Sequence, residues 1–213
     1  MMNAQQMARQ CRTRRSAPKR CPIADLGQVW LRKGFSEEEV KAMSFGLWEA
    51  SAPVFINSLT NMRDWLDKAE QEKSESVLME ARLAPDMRPL PAQYQMASDS
   101  AKNALARLTG TDAPSMPDTE TSFSELRERC DRTIDYLKSL SPEDLAESED
   151  REVVLTFPNG MGYRFTGSQY LVGFALPNSF FHATTAYAIL RNAGVSLGKP
   201  DFLQHLGPPN LRA

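Results

Sequence analysis

The sequence contains little histidine and cysteine, the residue types that most often bind transition metals or attack substrates. There are two histidines, His182 and His205, and three cysteines, Cys11, Cys21 and Cys130. No two cysteines are spaced as C-x-x-C. An odd and sparse set of cysteines is typical of a reducing compartment rather than of a disulfide scaffold. We therefore predict a cytoplasmic protein, in which Cys130 is a passive helix residue.

Long apolar segments are also scarce, apart from one. No stretch resembles the apolar core of a signal peptide. Residues 165–190 carry no Asp, Glu, Lys or Arg, and this length would permit a membrane span. The stretch holds two glycines, a proline, Asn178, His182 and several Ser or Thr residues, so it predicts a buried helix and no membrane contact. The face with Phe180 and Tyr187 then needs a second cover, which predicts a homodimer.

Charge is unevenly distributed along the chain. Residues 1–42 hold nine Lys or Arg and four Asp or Glu, a net charge of +5, whereas the remaining residues hold sixteen and twenty-three, a net charge of −7. Phosphate contacts require a basic surface. The acidic body, residues 43–205, therefore predicts no nucleic-acid partner, and residues 206–213 are predicted to form a tail.

The basic extension, residues 1–42, lacks a steady apolar period, and its first acid is Asp25. It is interpreted in three ways: a solvated tail that binds acidic partners, a transit peptide, or a segment absent from the mature protein. The Glu-rich "SEEEVKAM" favours the third, because purine-rich Glu codons resemble a ribosome-binding site placed before Met43. The N-terminal peptide of the purified protein distinguishes these alternatives.

The body has helical spacing of its apolar residues over most of its length. Three prolines in "APDMRPLP" interrupt the pattern, and Gly110 is a suitable residue to end a helix. Ser122 and Glu125 fit a capping box at the start of another helix. The predicted helices are 46–72, 74–83, 92–109, one that begins near Ser122, and 168–192.

One strand signal precedes the last helix. "REVVLTF" and "GYRFTG" flank "PNGM", and the Asn159-Gly160 pair is a strong cue for a hairpin turn. The glycines at 160, 162 and 167 do not have the spacing of a phosphate-binding loop, and no Lys-Ser/Thr pair follows them. The fold class predicted is therefore all-α, a four-helix bundle with a small β-hairpin before the last helix.

Five segments carry a family resemblance: "ARLAPDMRPL", "DTETSFSEL", "EDREVVL", "FTGSQYL" and "LPNSFFHATTAYAILRNAGVSLGKPDF". Together they resemble an uncharacterised, mainly bacterial family, domain of unknown function nineteen ninety-three, over about residues 43–203. This family is placed with the DinB/YfiT-like four-helix bundles. The resemblance implies a DinB-like bundle, many relatives of which are regarded as metalloenzymes or thiol-dependent transferases, and which often form dimers.

The resemblance also implies a position for a metal site. In metal-binding members, one histidine of the second long helix and two on the last helix, spaced H-x-x-x-H, hold a divalent ion such as nickel or zinc. In "NSFFHATTAYAILR", His182 matches the second histidine of that pair and Asn178 stands at the first. The second long helix has no histidine, and its polar residues near the expected place are Gln93, Gln95 and Asp99. The resemblance therefore implies that this sequence retains one metal ligand of three, His182.

His182 shares a helix face with Asn178 and Thr185, so the three side chains are predicted to point into the bundle. Pro177 should free the carbonyl of Gly173 close by. Three roles stay open: a structural network in which neutral His182 bonds Asn178, a second-helix side chain or water; a pocket for a small molecule or a weakly held divalent metal; or a general base.

We predict a small-molecule-binding or structural and interaction protein with a degenerate metal site. The alternative is a divalent-metal-dependent enzyme or thiol-dependent transferase. The predicted binding residues are Asn178, His182, Thr185, Gln93, Gln95 and Asp99, and His182 is the single predicted metal ligand; no catalytic residue is assigned.

Overall fold

The computed structural model describes residues 45–208 and 210–211, so the predicted basic extension lies outside the described residues. The body begins with α1 (Leu47–Glu72), followed by the short α2 (Glu75–Glu80). Two long helices follow, α3 (Leu90–Thr109) and α4 (Phe123–Lys138). A 3₁₀ turn at Pro142–Leu145 then leads into the hairpin.

The hairpin consists of β1 (Glu152–Thr156) and β2 (Gly162–Thr166), which pair antiparallel with Val154 opposite Arg164. Gly160 adopts a φ of 78° in the turn, where a side chain would be strained. The last helical region runs as α5 (Gly167–Tyr170), a π-helical turn (Leu171–Ala175) and α6 (Leu176–Asn192). The chain continues through α7 (Lys199–Phe202) and a 3₁₀ turn at Gln204–Leu206.

The four long helices form a ring in which α1 packs on α4 and α6, and α3 packs on the same two helices. Each long helix buries apolar residues at helical spacing, as in Phe55, Leu59, Met62 and Leu66 of α1. The predicted all-α bundle with a hairpin before the last helix is therefore confirmed. None of the helices in the described ranges is long and apolar enough to cross a membrane.

The helix ends follow local chemistry. The hydroxyl of Ser122 accepts a hydrogen bond from the backbone N–H of Glu125 at 3.2 Å, as the capping-box pattern predicts. Gly110 ends α3 with a left-handed φ of 74°. α3 begins at Leu90, two residues before the predicted start, because Pro91 is tolerated in the first turn of a helix.

The outer face of the last helix is covered in a way that the sequence did not predict. Tyr187 packs edge-on against Trp65 and Phe202, with ring centroids 5.6 and 5.9 Å away. The indole N–H of Trp65 donates to the carbonyl of Asp201 at 3.1 Å, which holds α7 in place. The chain's own C-terminal segment thus supplies part of the cover that was predicted to come from a second subunit.

Candidate functional site

A groove of about 300 Å³ lies between α3 and α6, and we call it the α3–α6 groove. One wall is a stripe of α3 and the other is formed by the last helical region, with one residue from β1. Its lining residues are Met96, Asp99, Ser100, Asn103, Arg107, Leu155, Tyr170, Phe174, Ala175, Asn178 and His182. Three of the six predicted binding residues, Asp99, Asn178 and His182, are among them.

His182 is 8% exposed and is held by α3. Its Nδ1 lies 3.0 Å from Oε1 of Gln93, and Nε2 of Gln93 donates to the carbonyl of Arg88 at 3.0 Å. Because the amide nitrogen of Gln93 is already directed at Arg88, its oxygen faces the ring, so Nδ1 of His182 carries the proton. The neutral ring then keeps a lone pair on Nε2, for which no described residue supplies a hydrogen bond.

Burial controls the protonation of His182. Desolvation lowers the pKa of the imidazole below its ordinary value, because the charged ring loses water that nothing replaces. Phe181 lies edge-on to the ring, with centroids 5.2 Å apart, and adds no charge. At neutral pH, His182 is therefore an uncharged acceptor at Nε2, which suits hydrogen bonding to a ligand.

Asn178 connects the two walls of the groove. Its Nδ2 donates to Oγ of Ser100 at 2.7 Å, and that hydroxyl donates to the carbonyl of Met96 at 2.6 Å. Asn178 does not bond His182; a glutamine of α3 has that role. The structural network predicted for His182 thus has a second-helix partner, one of the alternatives left open by the sequence.

Three predicted site residues have partners elsewhere. The hydroxyl of Thr185 donates to the carbonyl of Phe181 within α6 at 2.7 Å, and Gln95 donates to Glu120 at 2.9 Å. Neither is among the groove-lining residues. Asp99 reaches the groove, but its carboxylate is paired with Arg129 and Lys102 at 2.9 and 3.1 Å. The predicted inward trio of Asn178, His182 and Thr185 therefore does not form one network.

The segment before Pro177 contains the π-helical turn. The N–H of Leu176 bonds to the carbonyl of Leu171, five residues back, instead of four. Proline has no N–H to continue the regular ladder, and a π turn accommodates this loss by widening the helix. The sequence predicted the freed carbonyl of Gly173 but not the form of the distortion. The turn places Phe174 and Ala175 on the groove wall.

The donors in the α3–α6 groove do not fit the metal site that the resemblance implies. The described residues contain no group of three His, Cys, Asp or Glu placed to hold an ion. Asp99 is committed to two cations, and Arg107 adds a positive charge to the same groove. One imidazole nitrogen and one amide oxygen are fewer than the three or four protein donors typical of zinc.

Sequence reasoning missed Arg107 and Tyr170 at the other end of the groove. The guanidinium donates to the Tyr170 hydroxyl at 2.9 Å, and its central carbon lies 5.7 Å from the ring centroid. A signal existed: residues 96, 100, 103 and 107 follow helical spacing and form one stripe of α3. Without the partner helix, that stripe could not be distinguished from a solvated face.

The comparisons with known proteins agree with the fold. The family model described as "Domain of unknown function (DUF1993)" matches residues 47–203. A crystal structure of a DinB family member protein from Shewanella denitrificans is 37% identical, with a TM-score of 0.69, and the match covers 78% of this chain and 95% of that chain. No curated protein matches the sequence.

Proposed function

This chain belongs to the DUF1993 family of DinB-like bundles, and on that premise we propose that it binds a small organic molecule in the α3–α6 groove. One observation carries the proposal: His182 presents a neutral Nε2, to which no residue in the described ranges hydrogen-bonds, on a groove of about 300 Å³. Its other ring nitrogen is fixed by Gln93, so the ring is oriented before a ligand arrives. Such preorganisation lowers the entropy cost of binding.

The composition of the groove supports a ligand rather than an ion. Met96, Leu155 and Phe174 supply apolar surface, and Asn103 and Asn178 supply amides that can orient a polar group. Ligand pockets typically combine a mostly apolar lining with a few placed polar groups, at volumes near 300 Å³ and above. We further propose a cytoplasmic location, from the sparse cysteines of the sequence.

We expect a ligand to be detectable through the two histidines. In an imidazole Hε1 NMR spectrum, a compound bound beside His182 should shift the His182 signal and leave that of exposed His205 unchanged. A thermal-shift screen of small organic acids, alcohols and amides supplies the compounds, because a ligand at 100 times its Kd raises stability by about 2.7 kcal/mol. His182→Ala should abolish the stabilisation.

His205→Ala is the matched control, since His205 is exposed on the C-terminal turn. Retention of ligand stabilisation in His182→Ala would contradict the proposal, as would compounds that shift only His205. Elemental analysis of the untagged protein tests the metalloenzyme alternative separately: stoichiometric nickel or zinc that is lost in His182→Ala would favour that alternative.

We propose a homodimer as the state of the protein in solution, through the exposed apolar side chains of the last helical region. Val172 is 65% exposed and Phe181 is 57% exposed, on one continuous helical stretch. Multi-angle light scattering should give twice the chain mass, and Phe181→Glu should give a monomer. Val77→Glu, on α2 at 65% exposure, should leave the dimer intact. A monomeric wild-type mass at micromolar concentration would refute this state.

A further inference from the structure

We infer that the Arg107 end of the α3–α6 groove is a carboxylate subsite, so that the ligand proposed above is an organic acid. The inference rests on the proposed function and adds the chemical class of the ligand.

Arg107 is positioned by Tyr170, which is 1% exposed. The hydroxyl accepts one guanidinium N–H at 2.9 Å, and the ring lies beneath the guanidinium carbon at 5.7 Å. Desolvation raises the pKa of Tyr170, although the positive charge of Arg107 opposes this, so the phenol stays neutral and does not neutralise the arginine. The remaining N–H groups of a guanidinium form a fork that matches a carboxylate.

Arg107 has no acidic partner among the described residues. The groove wall contains one carboxylate, Asp99, and that group is paired with Arg129 at 2.9 Å and Lys102 at 3.1 Å. The positive charge of Arg107 is therefore the one charge on the described wall that no neighbour balances, and an anionic group would balance it.

The surroundings of Arg107 favour an organic anion over an inorganic one. Tyr170, which contacts Arg107, stacks on Phe174 with ring centroids 6.0 Å apart, and Leu155 adds apolar surface to the same groove. An apolar ligand body can therefore pack beside a carboxylate held by Arg107. Tyr170 and His182 are twelve residues apart along the helical region, roughly 18 Å by helical rise. A ligand that contacts both ends is consequently an elongated acid with a hydrogen-bond donor at its far end.

Benzoate is a probe for this subsite, and benzamide is its neutral counterpart of the same shape. In isothermal titration at low salt, we expect wild-type protein to bind benzoate at least tenfold more tightly than benzamide. Arg107→Gln should weaken benzoate binding roughly tenfold or more, because hydrogen bonds to charged groups contribute at that level. Arg132→Gln removes the same charge from an exposed site of α4 outside the groove, and should leave binding unchanged.

Arg107→Lys keeps the charge without the fork and should bind benzoate with intermediate affinity, and thermal melting of each variant shows whether the fold is retained. Equal affinity for benzoate and benzamide would overturn the carboxylate assignment while leaving a ligand groove in place. Benzoate binding that is unchanged in Arg107→Gln, or absent at millimolar concentration, would overturn it as well. The proposed function fails separately, when no compound in the screen shifts His182.

Discussion

Replacing Arg129 by methionine is expected to destabilise the protein by about 3 kcal/mol at pH 7, the size typical of breaking a buried ion pair. The side chain of Arg129 is 2% exposed and joins three acids: Asp99 at 2.9 Å, Asp118 at 3.0 Å and Glu120 at 2.7 Å. It also donates to the carbonyl of Pro117 at 3.2 Å. Without the guanidinium, the loop before α4 loses its attachment to α3 and α4, and the acids repel each other.

The loss of stability in Arg129→Met should depend on pH. Burial by itself raises the pKa of Glu120, but hydrogen bonds from Arg129 and Gln95 outweigh this and lower it below the ordinary value. A lowered folded pKa contributes stability that is present above the unfolded pKa, near 4.3, and is lost as the pH falls through the folded value. The variant lacks this contribution. The difference between wild type and Arg129→Met should therefore be largest near pH 7 and shrink as the pH is lowered past about 4.

Chemical denaturation at pH 7 and at about pH 3, below the unfolded pKa of a glutamate, measures both effects. Arg164→Met is the control, because Arg164 pairs with Glu152 across the hairpin at 69% side-chain exposure. An exposed pair typically contributes at most about 1 kcal/mol. A loss in Arg129→Met no larger than in Arg164→Met, or one that grows on acidification, would show that the acids find other partners.

The thiol of Cys130 is expected to resist modification in the native protein by a factor of at least 10³ relative to the unfolded chain. Cys130 is fully buried on α4, and desolvation raises its pKa to about 12. A disulfide reagent reacts with the thiolate, so both access and ionisation require the helix to open. For a domain of ordinary stability, 5 kcal/mol or more, global opening is rarer than one molecule in about 10³.

The measurement uses Ellman's reagent on a chain in which Cys11 and Cys21 are serine, so that Cys130 is the one thiol that can react. Labelling in 6 M guanidinium chloride gives the rate of the open thiol, and a mildly destabilised variant should label proportionately faster. Labelling of native protein at the open rate would place Cys130 in an accessible site. That outcome would revive the thiol-dependent transferase alternative, against which the observed burial argues.

The local structure of the body followed from short-range chemistry. Ser122 and Glu125 predicted the start of α4, and Asn159-Gly160 predicted the hairpin turn, because caps and tight turns depend on neighbours in the chain. The long helices were predicted within about two residues at their well-capped ends. The π turn was not predicted, because Pro177 indicates that a backbone hydrogen bond is lost but not how the helix rearranges around that loss.

The candidate site was less predictable than the helices that carry it. His182 was predicted as a site residue because it is the one histidine of the last helix and because the stretch around it resembles the H-x-x-x-H stretch of metal-binding family members. Its partner Gln93 was one of several polar residues on another helix, and nothing local distinguished it from Gln95, which points toward Glu120. Asp99 was expected near the site, yet its charge is used by Arg129, thirty residues further along the chain.

The sequence by itself determined the helices, the hairpin and the burial of His182, because hydrophobic periodicity and turn residues are properties of the chain. The tertiary structure alone decided that Gln93 fixes His182, that Arg107 has no acidic partner among the described residues, and that the C-terminal segment covers Tyr187. Each of these contacts depends on which faces of the helices pack against one another. Rotation of a helix by one residue, about 100°, would have exchanged these partners.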